Sequence, residues 1–154
     1  MEVRKSALVA FSADNMFDLI EAAEHYPAFL PWCSRAIILA RDDSMVAAEI
    51  TVDYHGAQFS FVTRNPKRRP GWMAIRMERG PFRHFEGEWH LTALAPSACK
   101  IAFDLRYEFG GTLARTIAAP VFDRIANTLV DAYVMRAEAT LGAGPRSELL
   151  TSRP

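Results

Sequence analysis

Residues 100–109 read KIAFDLRYEF and residues 110–137 read GGTLARTIAAPVFDRIANTLVDAYVMRA; the change of period between them decides the fold. In the first stretch Ile101, Phe103, Leu105, Tyr107 and Phe109 alternate with Lys100, Asp104, Arg106 and Glu108. A period of two sends successive side chains to opposite faces, so this is a strand with one apolar and one wet face. After Gly110-Gly111 the residues Phe122, Ile125, Ala126, Leu129, Tyr133 and Ala137 recur at three- and four-residue steps, the stripe of an amphipathic helix. Pro120 either kinks that helix or starts its main segment.

The period-two pattern repeats upstream. Val46, Ala48, Ile50, Val52 and Tyr54 form one apolar row, Phe59, Phe61 and Thr63 a second, Met73, Ile75 and Met77 a third, and Phe85, Gly87, Trp89 and Leu91 a fourth. Turn residues at His55-Gly56, Asn65-Pro66, Gly80-Pro81 and Pro96-Ser97 join these runs. The chain opens with a strand over Val3 to Phe11. Ser12 then reads as a helix N-cap, with Asp14 favouring the positive helix end and Met16, Phe17 and Ile20 on one face. Between Pro27 and Pro31 only a short helical turn fits. The pattern predicts an α+β fold: a curled antiparallel sheet of about seven strands around a long C-terminal helix, with two short helices after the first strand. Residues 1–142 make one domain, and residues 143–154 read as a loose polar tail.

A chain of 154 residues is long enough to bury one core without staples. Eighteen basic and eighteen acidic residues cancel, so no global field announces a nucleic acid or a membrane. Cys33 and Cys99 share no ligand spacing and read as free, buried thiols. No apolar run is long enough for a signal peptide or a membrane span, which predicts a cytoplasmic protein.

Glu86 and Glu88 share the wet face of a strand with His84 and His90, which reads as a solvated surface rather than a metal or acid–base site. No nucleotide-binding or nucleophile-elbow motif occurs, so neither catalysis nor a metal is expected. Arg64, Lys67, Arg68 and Arg69 cluster beside Trp72, a candidate patch for phosphate from RNA or lipid headgroups. The many aromatic side chains on the concave face fit a filled core and an apolar ligand cavity equally well.

Several segments resemble the coenzyme Q-binding/RatA family. They are Ser6-Ala7-Leu8-Val9 through Ser12-Ala13 with Met16-Phe17-Asp18-Leu19, His25 through Ser34 (HYPAFLPWCS), Phe61-Val62-Thr63-Arg64-Asn65, Gly80-Pro81-Phe82-Arg83 with Gly87 and Trp89, Tyr107-Glu108-Phe109, and Val130 through Ala137. They are collinear over residues 3 to 142. Ala23-Glu24 and the basic Lys67-Arg68-Arg69-Pro70 depart from the family pattern.

The resemblance implies a START-like helix-grip (polyketide-cyclase-like) fold with a hydrophobic tunnel. Its expected lining is Phe29, Leu30, Trp32, Phe61, Trp89, Phe103, Leu105, Tyr107, Phe122, Ile125, Leu129 and Tyr133. It further implies non-catalytic binding of ubiquinone or a similar lipid in support of respiratory electron transport, with no cofactor required and a peripheral place at the inner membrane. The alternative it carries is a toxin that binds the large ribosomal subunit and blocks subunit association; a third reading is a cyclase-like enzyme.

Overall fold

The alternating segments become seven antiparallel strands of one sheet. The computed structural model describes residues 1–142, with residues 112–115 described by backbone alone. The elements are β1 (Glu2–Val9), α1 (Ala13–Glu21), a 3-10 turn (Ala23–His25), α2 (Tyr26–Phe29), β2 (Cys33–Arg41), β3 (Met45–Tyr54), β4 (Ala57–Arg68), β5 (Trp72–Arg79), β6 (Phe82–Ala95), β7 (Ala98–Phe109) and α3 (Thr112–Thr140). The expected loose tail, 143–154, lies outside the described residues.

The strand order is β1-β7-β6-β5-β4-β3-β2. From β2 to β7 every strand pairs with its successor. The first strand returns to pair with the last, Val3 opposite Leu105 and Val9 opposite Cys99. The two edges, β1 and β2, are therefore joined only by the helical segment α1–α2. Ser12 caps α1 as expected, its hydroxyl oxygen accepting from the Asn15 amide at 3.0 Å. The β3–β4 hairpin closes through His55 and Gly56, both at positive φ (49° and 84°), the geometry of a two-residue turn matched to strand twist.

One expected turn is absent. Asn65-Pro66 lies inside β4, where Pro66 pairs with Met45 of β3. The turn comes later, at Arg69-Pro70-Gly71, with a cis Arg69–Pro70 bond. Proline is tolerated in the strand because pairing to β5 lapses between Thr63 opposite Met77 and Lys67 opposite Met73. In that gap Asn65 Oδ1 accepts the Arg76 amide at 3.3 Å.

The core lies between the sheet's concave face and α3. Cys99, Ile101, Phe103, Leu105, Tyr107 and Phe109 of β7 are buried, as are Ala118, Phe122, Ile125, Ala126, Tyr133 and Ala137 of α3. Pro120 sits inside α3, which begins eight residues earlier at Thr112.

Gly87 of β6 stands opposite Leu105. A Cβ there would lie 2.6 Å from the Asp104 carbonyl oxygen and 3.0 Å from Leu105 Cδ1. Gly87→Ala should therefore destabilise the protein by about 1–3 kcal/mol, as overpacking does. Thermal unfolding should show a melting point lower by several degrees. Gly71→Ala, whose Cβ would meet only the Leu91 carbonyl oxygen at 3.5 Å, should change it little.

Candidate functional site: an apolar cavity with a polar end

Large side chains from both layers converge under α3 without filling the space completely. Trp89 and Phe103, neighbours across β6 and β7, lie 4.4 Å apart between ring centroids, and Tyr133 of α3 meets Trp89 edge-on at 5.3 Å. Towards the α3 N-terminal half the rings close up: Phe82 and Phe109 are 4.4 Å apart, Phe82 and Phe85 4.7 Å, Tyr107 and Phe122 4.9 Å. What remains is a cavity of about 100 Å³.

Of the twelve residues expected along a tunnel, Trp32, Phe61, Trp89, Phe103, Leu105, Phe122, Ile125, Leu129 and Tyr133 line this cavity. Phe29, Leu30 and Tyr107 do not. Phe29 and Leu30 line an open groove between α2 and α3 that shares Trp32 and Ile125 with the cavity. Tyr107 is turned to α3, where its hydroxyl donates to Asp123 Oδ1 at 2.8 Å; burial pushes its phenol well above the usual range.

The sequence reading missed a polar end formed by Glu21, Tyr26, Thr63 and Asn65. Thr63 and Asn65 continue the inward row of Phe61 along β4, and Lys67 is next in that row. Only 3% of the Lys67 side chain is exposed, and its Nζ stands 3.0 Å from Glu21 Oε2. That oxygen is buried and has no directed hydrogen bond, so the contact is an ion pair at short range rather than an aligned bond. Arg41 braces the same corner: it donates to both Glu24 carboxylate oxygens at 2.8 Å and to the Glu21 carbonyl at 3.2 Å. Hydrogen bonding from Arg41 lowers the Glu24 pKa to about 2. The Tyr26 hydroxyl donates to the Ile20 carbonyl, and burial pushes the Tyr26 and Tyr133 phenols up.

The four cations read as one surface patch are divided between interior and surface. Lys67 is inside. Arg69 bonds Asp18 at 2.6 Å and lies over the Phe17 ring at 5.1 Å. The cause is α1, whose Asp14, Asp18 and Glu21 fall on one face at four- and three-residue steps and meet the end of β4. Arg64 faces outward 3.6 Å from Glu78, and Arg68 lies over Trp72 at 5.7 Å. On the wet face of β6, Glu88 accepts from Trp72 Nε1 at 3.1 Å and stands 3.2 Å from His90 Nε2; Glu86 pairs with Arg106 at 3.2 Å. Among the described residues no group of three or more His, Cys, Asp or Glu could hold a metal. Cys33 and Cys99 are free and buried, and burial pushes the Cys33 thiol up to about 11.

Lys67→Met should cost less than the about 3–5 kcal/mol of a buried charge left with no partner, because Arg41 and Arg69, each 3.7 Å from the Glu21 carboxylate, still face it. Glu21→Met with Lys67→Met should recover most of that loss in denaturant titrations. The Glu24–Arg41 pair sets a pH dependence. Glu24 titrates lower when folded than its ordinary 4.5, so its contribution is complete above pH 4.5 and is lost as pH falls through about 2. The pair is well exposed and worth under about 1 kcal/mol. Thermal melts should show Arg41→Met less stable than wild type at pH 5, with the gap closing by pH 2.

Residues 9–134 match the family described as polyketide cyclase/dehydrase and lipid transport. A ribosome association toxin RatA of Pseudomonas aeruginosa is 37% identical over 140 residues, covering 91% of this chain and 97% of that protein. A mitochondrial coenzyme Q-binding protein COQ10 homolog B of Xenopus laevis is 24% identical, covering 92% of this chain and 60% of that protein. The Zhui aromatase/cyclase of Streptomyces sp. R1128 superposes with a TM-score of 0.75 at 20% identity, over 94% of this chain and 98% of that one. Its likeness is one of fold, and it matches the curled sheet and long last helix. The chain belongs to the polyketide cyclase/dehydrase and lipid transport family, in the branch that holds the RatA and coenzyme Q-binding proteins.

Proposed function

We propose that this chain acts by ribosome association, binding the large ribosomal subunit and blocking subunit joining, rather than by carrying a prenylated quinone. The observation that carries this reading is the size of the cavity. At about 100 Å³ it is smaller than an engineered core cavity of roughly 150 Å³ that binds benzene. It falls well below the ~300–1,000 Å³ of sites for larger ligands, whereas the open groove between α2 and α3, which shares Trp32 and Ile125 with it, measures about 570 Å³. A quinone ring with an isoprenoid tail exceeds the cavity several times over. The nearly full-length similarity to a protein named as a ribosome association toxin supports the same reading.

A cyclase-like enzyme has less support, since the carboxylate in the cavity wall is tied to Lys67. The quinone-carrier reading keeps one specific support, the predominantly apolar wall from Trp32 to Leu129.

The contact surface we assign is the outward face of β4 and β5, with Arg64, Arg68 and the neighbouring Arg76. Arg64 is only loosely held by exposed Glu78, and such surface pairs are worth about 0–1 kcal/mol, so phosphate can displace the carboxylate. Among the described residues no helix is long and apolar enough to cross a membrane.

Sucrose gradients of purified ribosomal subunits should show joined ribosomes falling and free subunits rising when the protein is added. The protein should travel with the large subunit, and its binding should weaken steeply with salt. Arg64→Glu with Arg68→Glu should lower co-sedimentation at least about tenfold without changing the melting point. Unchanged subunit joining, together with quinone recovered at equal stoichiometry by native mass spectrometry, would overturn this reading in favour of the carrier.

A further inference from the structure

The groove between α2 and α3 is left uncovered by the described residues. It measures about 570 Å³ and follows α3 from Ile125 past Ala132 and Met135 to Ala139, with Phe29 and Trp32 in its other wall. Met135 is 70% exposed there, and the Arg136 guanidinium lies over the Phe29 ring at 5.0 Å. The chain leaves α3 at one end of this groove. Gly142, three residues beyond Ala139, is buried, and its amide donates back to the Ala137 carbonyl at 3.2 Å. A bond of that span closes a helix and turns the backbone away from the axis. Pro145 then follows in the sequence, a residue that cannot continue a helix.

We propose that residues 146–150 (RSELL) of the same chain fold back into this groove and cover it. Leu149 and Leu150 are the only large apolar residues after Leu141. The reach suffices: from Ala139 to Ile125 the groove follows about 21 Å of helix. Residues 143–150 span up to about 26 Å when extended. The charges and the register agree as well. Glu148 is the acid for Arg136 on the groove's rim. Leu150 stands two residues beyond Glu148, roughly 7 Å along an extended chain. Ala132 precedes Arg136 by four residues, roughly 6 Å along the helix. Pairing Glu148 with Arg136 therefore sets Leu149 and Leu150 over Ala132, in the stretch of groove between Met135 and Ile125. The tether holds this segment at an effective concentration in the millimolar range, which favours the chain's own tail over that of a second copy. The inference is independent of the ribosomal contact, which lies on the convex face of the sheet.

The test is NMR of the full chain labelled at its methionine, leucine and alanine methyl groups. The Leu150 methyls should show Overhauser contacts to the methyls of Met135 and Ala132. These contacts should keep their intensity per labelled molecule when the sample is diluted into excess unlabelled chain. Leu149→Ser with Leu150→Ser, outside the core, should shift the Met135 methyl signal and raise its relaxation by a soluble paramagnet several-fold. Met45, beside Arg64 on the convex face, should stay in place and serves as the check that the variant is folded. Three results would each overturn the proposal. One is the absence of contacts from Leu150 to Met135 and Ala132. The second is a Met135 signal and relaxation unchanged by the double substitution. The third is contacts that disappear on dilution into unlabelled chain, which would give the groove to a second copy.

Discussion

The concave face of the sheet carries more apolar surface than the sheet can hide, and the packing of α3 against it is the contact on which everything else depends. Tyr133 is the centre of that contact. It is fully buried and meets Trp89 of β6, Tyr26 at the start of α2 and Phe29 at its end, with centroid distances of 5.3, 5.7 and 5.6 Å. One ring therefore ties the sheet, the long helix and the segment joining the sheet's two edges. Truncating an aromatic side chain in such a position typically costs about 3–5 kcal/mol. The cavity is what this packing leaves over: close-packed rings at one end and a small gap where Trp32, Leu129 and the end of α1 meet.

The segment from α1 to α2 has to cross the open side of the sheet, since β1 and β2 lie at opposite edges. Met16, Phe17 and Ile20 give it an apolar underside, but apolar contact does not fix register. The ion pairs do. Arg69 reaches Asp18, Lys67 reaches Glu21 and Arg41 reaches Glu24, one cation from each of three places along the strands to each successive turn of the segment. The net stabilisation of a buried pair is small, because desolvation offsets much of the attraction. Its value here is positional: a one-residue slip of α1 would leave Lys67 buried opposite an isoleucine or an alanine.

Much of this architecture is legible in residue period alone. Alternation located the strands from β3 to β7, and the change of period after Gly110-Gly111 located α3. The error at Asn65-Pro66 has a definite cause. A proline after asparagine ordinarily signals a turn, but here the missing donor falls where β4 and β5 are not hydrogen-bonded. Ending the strand there hid the continuation of the inward row from Thr63 to Asn65 and Lys67, and with it the polar end of the cavity. The acidic face of α1 was equally visible at Asp14, Asp18 and Glu21. Yet its meeting with Lys67 and Arg69 is a contact between distant parts of the chain, which local pattern does not encode. Phe29 and Leu30 face the groove beside the cavity and Tyr107 faces Asp123, placements that the pattern does not give. Apolar character says that a side chain is buried, but not which of two adjoining spaces it faces.

The division of the basic cluster separates the inner surface of this protein from its outer one. Had all four cations stood in solvent, a lipid headgroup at the cavity mouth would have been their natural counterion, linking surface charge to an apolar interior. Lys67 and Arg69 are instead consumed by α1, and the charge that remains, Arg64 and Arg68, points away from the cavity on the convex face. A ligand between sheet and helix and a polyanion outside would thus touch different residues and different faces of β4. Members of one fold family can carry unrelated functions at different sites on a shared shell. In this chain Phe82 packs against Phe109, Phe85 and Phe122 at 4.4, 4.7 and 5.1 Å, so the rings are closed up beside the N-terminal half of α3.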